Sequence, residues 1–313
     1  MAGEDRRDES DHHMTTGAKP PAAVTIEPSV VRALLEEQHM DLAHLPLVEI
    51  GGGWDNKLFR LGADLIVRLP RRAASAALIE QEQRWLPTLS PRLPVPVPVP
   101  LRIGRPGSGF PWSWSVVPWF TGESALAAPP QDLAPMVVAL GRFLAALHQP
   151  APDNAPHNPW RGVPLETRAT RLREHLTQLD GIVDGLAALR LWEHVVSVPP
   201  WPGPPLWIHG DLHPGNLLVS GNRLSAVIDF GDLAAGDPAT DLSIIWMLPS
   251  SARSIFRAST HGEFNAIDDD TWMRARGWAL ALGLAYLASS RDDEAMGALG
   301  RATIDAALND PAE

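Results

Sequence analysis

The chain has 313 residues and a mass of 33.9 kDa, room for one large domain or two modest ones. Apolar residues make up 45% and charged residues 20%, a globular rather than a disordered composition, and a net charge of −11 argues against a nucleic-acid binder that relies on a general positive surface. There is no cysteine, which excludes disulfides, thiolate zinc sites and thiol catalysis, and only Lys19 and Lys57 are lysines among the 26 basic residues.

Residues 1–24 are polar and charged, then rich in Ala and Pro, and read as a disordered tail in which Asp11, His12 and His13 are tail residues rather than a metal site. The first residues lack an apolar signal region, and the longest apolar stretch, 278–288, is 11 residues where a membrane span needs about 20. The expected location is therefore the cytoplasm, with neither a membrane nor a nucleic acid as partner. From Pro28, PSVVRALLEEQ has helical spacing, with Pro in the first turn and Val31, Leu34 and Leu35 on one face. LPLVEI is extended, GGGWDN is rich in turn formers, and LFRLGADLIVRLP adds two short strands split at 61–64. Residues 73–89 return to helical spacing. The run LPVPVPVPL (93–101) cannot be a central strand, because proline has no N–H to donate. It is either a stiff connector, the preferred reading, or a polyproline ligand for an SH3-like partner.

PWSWSVVPWF (111–120) reads as a strand broken at Pro118, a helix over 132–148 opens the second half, and helical segments occupy most of 165–197 and 270–308. There is no internal repeat. The organisation is a small β-rich lobe, 25–122, followed by a larger helical lobe, 123–313.

The informative stretch is 207–242, WIHGDLHPGNLLVSGNRLSAVIDFGDLAAGDPATDL. An apolar segment at 206–208 delivers His209, Gly210 and Asp211, and Asn216 follows five residues after Asp211 across a Pro-Gly loop. LLV is a strand, SGNR a turn, and LSAVIDF a returning strand that ends in Asp229, Phe230 and Gly231. A hairpin of this kind brings Asn216 and Asp229 to one end, beside the loop bearing Asp211. An amide oxygen and a carboxylate suit Mg²⁺, which takes few protein ligands and leaves the rest to phosphates and water. Asp211 would then orient a substrate hydroxyl and accept its proton. The order Asp-x₄-Asn followed by Asp-Phe-Gly matches the catalytic and metal-binding motifs of kinases.

HGDLHPGN, IDFGD and GDPATDL together are similar to the aminoglycoside phosphotransferase family, a branch of the protein-kinase-like fold in which HGD replaces HRD. GGGWDNKLFRLG, LIVRLPRR, EQRWLPTLSPRLPVPVP, WSWSVVPWFTGE and HNPWRGVPL also look like family segments, so the resemblance spans roughly 28–308. It implies an α+β, two-lobed kinase-like fold: a small antiparallel sheet with one main helix, then a larger, mainly helical lobe with the catalytic loop. By position, Asp211 is implied as the catalytic base, with Asn216 and Asp229 as Mg²⁺ ligands. His209 is implied to support the loop, and Asp241 to brace it as a buried carboxylate.

Kinases anchor nucleotide phosphates with a strand lysine held by a helix glutamate. Here the corresponding position is Arg68, in LIVRLP, and the implied partner is Glu82, with Glu80 the poorer fit to the register. Arginine keeps the charge and the donors, so it can fill the role, with a different geometry from lysine. The glycine turn supplies Gly52, Gly53 and Asn56, with Lys57 beside them, as candidates to cover the phosphates. Val116 to Phe120 is the implied hinge against the nucleotide base, with Val117 and Phe120 the candidate contacts because Pro118 has no N–H.

On the acceptor side, a polycationic substrate would call for carboxylates such as Glu263, Asp268, Asp269, Asp270, Asp292, Asp293 and Glu294, although such runs more often begin helices. Trp160, Trp246, Trp272 and Trp278 would equally line an apolar pocket or fill the core. Residues 157–162 and Arg168 carry no assigned role. The expected activity is an ATP- or GTP-dependent, Mg²⁺-requiring transfer to a hydroxyl of an antibiotic-like or metabolite acceptor, by a monomer or homodimer. The alternatives are a nucleotide-binding protein of the same fold with little or no transfer, motivated by Arg68, and an interaction protein displaying the proline run. The last leaves the Asp211, Asn216 and Asp229 spacing unexplained.

Overall fold

The computed structural model describes residues 21–261, 267–290 and 292–310. Most of the expected tail, including Asp11, His12, His13 and Lys19, lies outside them, as does Glu263. Of the tail's last residues, Ala23 donates its N–H to Arg71 O at 2.9 Å and Val24 packs on the small-lobe core.

Strands alternate their side chains between two faces, and in the small lobe the two faces do different work. Leu47–Gly52 (β1), Asn56–Leu61 (β2), Leu65–Pro70 (β3), Arg102–Gly104 (β4) and Trp114–Pro118 (β5) form one antiparallel sheet in the order β1-β2-β3-β5-β4. Phe59 and Leu61, Val67 and Leu69, and Trp114 and Val116 share one face. The helix Pro28–Gln38 (α1) lays Val31, Leu34 and Leu35 on that face and closes the small core. The opposite parity, Asn56 and Leu58, Ile66 and Arg68, and Val117, lines the cleft between the lobes. The 17-residue helix Ala73–Leu89 (α2) follows β3, sets Glu82 behind Arg68, and buries Leu86 and Leu89 in the large-lobe core.

The proline run makes no strand, as its missing donors require. Val95 and Val97 are buried in the large-lobe core, and Pro96 O accepts the Val227 N–H at 3.0 Å. The run is a connector clamped into the fold, which removes the reading as an exposed polyproline ligand.

The large lobe contains Glu123–Ser124 (β6), Ala134–Leu147 (α3), Ala169–Gln178 (α4), Gly185–Val196 (α5), Leu206–Ile208 (β7), Leu217–Ser220 (β8), Arg223–Val227 (β9), Ala234–Gly236 (β10), Ala239–Leu242 (α6), Arg253–Ser259 (α7), Asp269–Ser289 (α8) and Glu294–Asn309 (α9). The apolar stretch noted in the sequence falls in α8, whose buried residues surround its axis, so it is the central helix of this lobe, packed by α4, α5, α6 and α9. Among the described residues no helix is long and apolar enough to cross a membrane. β4, β6, β10, α6 and α7 were not anticipated, since two- to seven-residue elements leave too little periodicity to read. The expected strand over 111–120 contracts to β5, and the strand expected through Asp229 stops at Val227.

His175 on α4 is 1% exposed, and its Nε2 has no hydrogen-bond partner among the described residues. Burial, aided by the charges of Arg171 and Arg168, pushes its pKa down to about 4. In the unfolded chain it titrates near 6.5. Between those values only the unfolded chain binds the proton. The stability this neutral histidine secures is therefore intact above about pH 6.5 and lost as the pH falls toward 4, by up to ~3 kcal/mol. In His175→Gln that part of the acid sensitivity should vanish. Urea unfolding of both proteins at pH 7.5 and pH 5 checks this, and an equal loss in the two would exclude His175 as its source.

Candidate active site

Strand β7 is buried along its length and pairs with β10, so its end is a rigid point from which the 209–216 loop departs. The next residue but one, Gly210, has φ +87°, and a Cβ there would sit 2.3 Å from Asp232 O, so the turn admits only glycine. Asp241, fully buried on α6, accepts the N–H of His209 at 2.8 Å and of Gly210 at 2.9 Å, and stands 3.0 Å from His148 Nε2. One carboxylate thus satisfies two consecutive buried amides of the loop. His209 accepts the Asp211 N–H on Nδ1 at 3.3 Å, which makes Nε2 the protonated nitrogen, donating to Ile228 O at 3.0 Å.

This scaffold holds Asp211 with its side chain 29% exposed. Tyr286, from α8, donates its hydroxyl to Oδ1 at 3.2 Å, and Arg161 Nη2 lies 3.4 Å from the same oxygen. His213 Nε2 is 3.7 Å from Oδ2, while its Nδ1 accepts the Gly215 N–H. Burial alone would raise the Asp211 carboxyl. The neighbouring His213, Arg161 and His209, together with the Tyr286 hydroxyl, outweigh it and hold the carboxyl below the ordinary carboxylate range. Burial pushes His213 down as well, so near neutral pH the permanent charge beside Asp211 is Arg161. Burial, then the nearby Asp211 carboxylate, drives the Tyr286 hydroxyl well above its usual value, which keeps it a donor. The neighbouring Asp232 goes the other way from Asp211: burial pushes it up, against the pull of Arg161.

Asn216 ends a short 3₁₀ turn, Pro214–Asn216, and the β8–β9 hairpin returns the chain so that the Ile228 N–H donates to Asn216 O at 3.0 Å. Its side-chain amide donates to Asp211 O at 2.9 Å, which leaves the amide oxygen for another partner. Asp229, next after Ile228, adopts φ +63°, a left-handed conformation that ends β9 and turns the carboxylate out with 60% side-chain exposure. Among the described residues no group of three or more His, Asp or Glu is arranged around a metal position. The donor set is one amide oxygen and one carboxylate, which fits Mg²⁺ held partly by substrate phosphates.

Above the hairpin, between the lobes, lies a cavity of about 260 Å³. Its walls are apolar (Ile50, Leu58, Ile66, Val117, Leu218 and Ile228), and Arg68 and Asp229 sit among its polar groups. Arg68 grips Glu82 with both guanidinium nitrogens, at 2.5 and 3.1 Å, and its Nη2 lies 3.9 Å from Asp229 Oδ1. Glu80 instead accepts from Ser113, so Glu82 is the partner. Gly53, Asn56 and Phe120 also line the cavity, whereas Gly52 does not; a Cβ on Gly52 would lie 2.7 Å from Asn56 O. Asn56 Oδ1 is buried there without a hydrogen-bond partner among the described residues. Asp55, beside it, accepts from Arg72 and Ser75 and pins the turn to the start of α2. Lys57 points elsewhere, to Ile26 O and Glu49, so it does not join the phosphate-side groups. At the hinge the Trp119 N–H is spent on Asp64 O at 2.7 Å, which leaves Phe120 as the next backbone donor.

The acceptor-side carboxylates have local duties. Asp268 and Asp293 accept the N–H groups of Thr271 and Met296 as helix caps, while Asp269, Asp270, Asp292 and Glu294 are exposed nearby. Trp246, Trp272 and Trp278 are core residues, and Trp160 is half-buried with the Arg168 guanidinium 4.9 Å over its ring. Sequence reasoning missed Arg161, Tyr286, Asn158 and Asp232. Two signals were available: 157–162 stood out without a role, and Tyr286 is the chain's single tyrosine.

A family model described as the phosphotransferase enzyme family matches residues 46–278. No curated protein sequence matches the chain. Among solved structures, the GDP complex of an aminoglycoside 2'-phosphotransferase-IIIa superposes with TM-score 0.66 at 19% identity, covering 91% of this chain and 99% of that one. A macrolide 2'-phosphotransferase apoenzyme from Brachybacterium faecium gives TM-score 0.59 at 25% identity, with 92% and 100% covered. A macrolide 2'-phosphotransferase type I gives 0.56 at 20%, with 90% and 97% covered.

Proposed function

The chain belongs to the phosphotransferase enzyme family, as a small-molecule kinase with an alcohol group as acceptor, and from that premise we propose that it moves the γ-phosphoryl group of ATP or GTP to a hydroxyl of an antibiotic-like or metabolite acceptor, with Asp211 as the base. The observation that carries the proposal is the Asp211 carboxylate: its backbone is fixed through Asp241 and Asn216, its charge is maintained, and its side chain is still partly open. Asp211 orients the acceptor hydroxyl and takes its proton as the oxygen attacks the γ-phosphorus and the bond to the β-phosphate oxygen breaks, releasing ADP or GDP. His209 holds the loop through Ile228 O and the Asp211 N–H and stays outside the proton transfer.

Arg68, fixed by Glu82, binds phosphate oxygens, and Gly53 and Asn56 form the cover over them. Val117 and Phe120 meet the nucleotide base on the hinge side. Asn216 and Asp229 would hold Mg²⁺. When bound, that ion neutralises charge on the transferring phosphoryl group.

An acceptor panel with both nucleotides tests this. The similar structures are of aminoglycoside and macrolide phosphotransferases, so kanamycin- and erythromycin-type compounds head the panel beside neutral polyols. Acceptor-dependent ADP or GDP release supports the proposal. Nucleotide binding with no acceptor dependence across the panel would favour the second reading, a nucleotide-binding protein with little or no transfer, which the replacement of the usual lysine by Arg68 motivates.

A further inference from the structure

The loop 157–162 is built under the catalytic loop with care. Asn158 donates to Asp232 Oδ1 at 2.8 Å and its own Oδ1 accepts the Trp160 N–H. Gly162 has φ +66°, and a Cβ on it would lie 2.6 Å from Ile208 and 2.9 Å from the Gly236 Cα, so this turn seats directly on β7 and β10. Gly162 also donates to Thr240 Oγ1 and accepts the Asp237 N–H. The product of all this anchoring is one side chain, Arg161, held between two carboxylates: Nη2 is 3.4 Å from Asp211 Oδ1 and Nε is 3.6 Å from Asp232 Oδ2. Nε is buried and makes no hydrogen bond among the described residues, so the clamp has slack that a bound acceptor can take up.

Without Arg161, Asp211 and Asp232 would be two adjacent carboxyl groups with no cation between them, and an ammonium group bound there would favour their charged forms. With Arg161 between them, one cation is shared by both, and Tyr286 takes up further capacity of Asp211 Oδ1. Arg168, stacked on Trp160, adds a second cation on this side. Of the other acceptor-side carboxylates, Asp268 to Asp270 at the start of α8 lie 16 to 18 residues of helix from Tyr286, about 25 Å at 1.5 Å per residue, while Asp292, Asp293 and Glu294 are exposed beyond its other end, with Asp293 capping α9.

We propose that Arg161 is an acceptor-specificity residue, which by sharing its charge between Asp211 and Asp232 fits the cleft beside the base to a hydroxyl on an uncharged molecule and sets it against polycations. This rests on the reading of Asp211 as the acceptor-facing base.

The test is calorimetric titration of kanamycin into the enzyme loaded with Mg²⁺ and a non-hydrolysable ATP analogue. Wild type is expected to bind it with a Kd weaker than about 1 mM. Arg161→Gln should bind at least tenfold tighter, Arg161→Lys should stay near wild type, and adding Asp232→Asn to Arg161→Gln should abolish the gain. Micromolar binding by wild type, or a change of less than twofold in Arg161→Gln, overturns the proposal, and Arg161→Ala, with the same expected gain, takes its place if the glutamine variant does not fold. These titrations do not depend on proton transfer, so a failure here leaves the base assignment standing. If Asp211→Asn kept full turnover, the base assignment would fail instead.

Discussion

Asp211→Asn is expected to lower kcat by roughly 10²–10⁴-fold, the range lost when a positioned general base is removed, while nucleotide affinity stays within about twofold. The substitution is close to isosteric. An amide oxygen at the Oδ1 position can still accept from Tyr286 and face Arg161, and the loop amides remain on Asp241, so the backbone has no reason to move. What disappears is a carboxylate able to take a proton, at a place in the loop where the side chain is fixed and open together. The comparison needs turnover with the best acceptor of the panel and titration of a non-hydrolysable nucleotide. Turnover near wild type would remove Asp211 as the base.

Arg68→Met is expected to act on binding and stability together. It leaves Glu82, 1% exposed, with no counter-charge. Burial already pushes that carboxyl up, against the opposing pull of Arg68, and removing one partner of a buried pair costs about 3–5 kcal/mol. The nucleotide KM should rise by about tenfold or more as the phosphate contact is lost. The double variant Arg68→Met/Glu82→Met separates the two effects. Replacing the whole buried pair with apolar side chains should return most of the stability, and the KM should stay high. A wild-type KM in the stable double variant would remove Arg68 as the phosphate anchor and leave it a structural ion pair. Lysine at this position would keep the charge but lose the two-pronged grip on Glu82.

The two lobes and the motif residues were legible because their signals are local. Val31, Leu34 and Leu35 announce a helix, and Phe59, Leu61, Val67 and Leu69 announce strands, by spacing alone. The same alternation sets Leu58, Ile66 and Arg68 on the cleft face. Asp211, Asn216 and Asp229 were legible through their separation in one hairpin. The acceptor side was not. Arg161 lies 50 residues before Asp211 and Tyr286 lies 75 after it, and no period or motif states that a loop and a helix end converge on one carboxylate oxygen. Asp232 was read as part of a family string, while its burial beside Arg161 is a tertiary fact. Lys57 shows the converse: it sits next to the glycine turn in sequence, but strand alternation places it on the other face, with Glu49 and Ile26 O.

The most direct measurement is transfer of labelled γ-phosphate from ATP and from GTP to each acceptor of the panel, by wild type and by Asp211→Asn in parallel. The account predicts a phosphorylated acceptor, and matching nucleoside diphosphate, from wild type with at least one compound, and a loss of at least a hundredfold in the variant. Equal transfer by the two proteins, or nucleotide turnover that no acceptor stimulates, would contradict it.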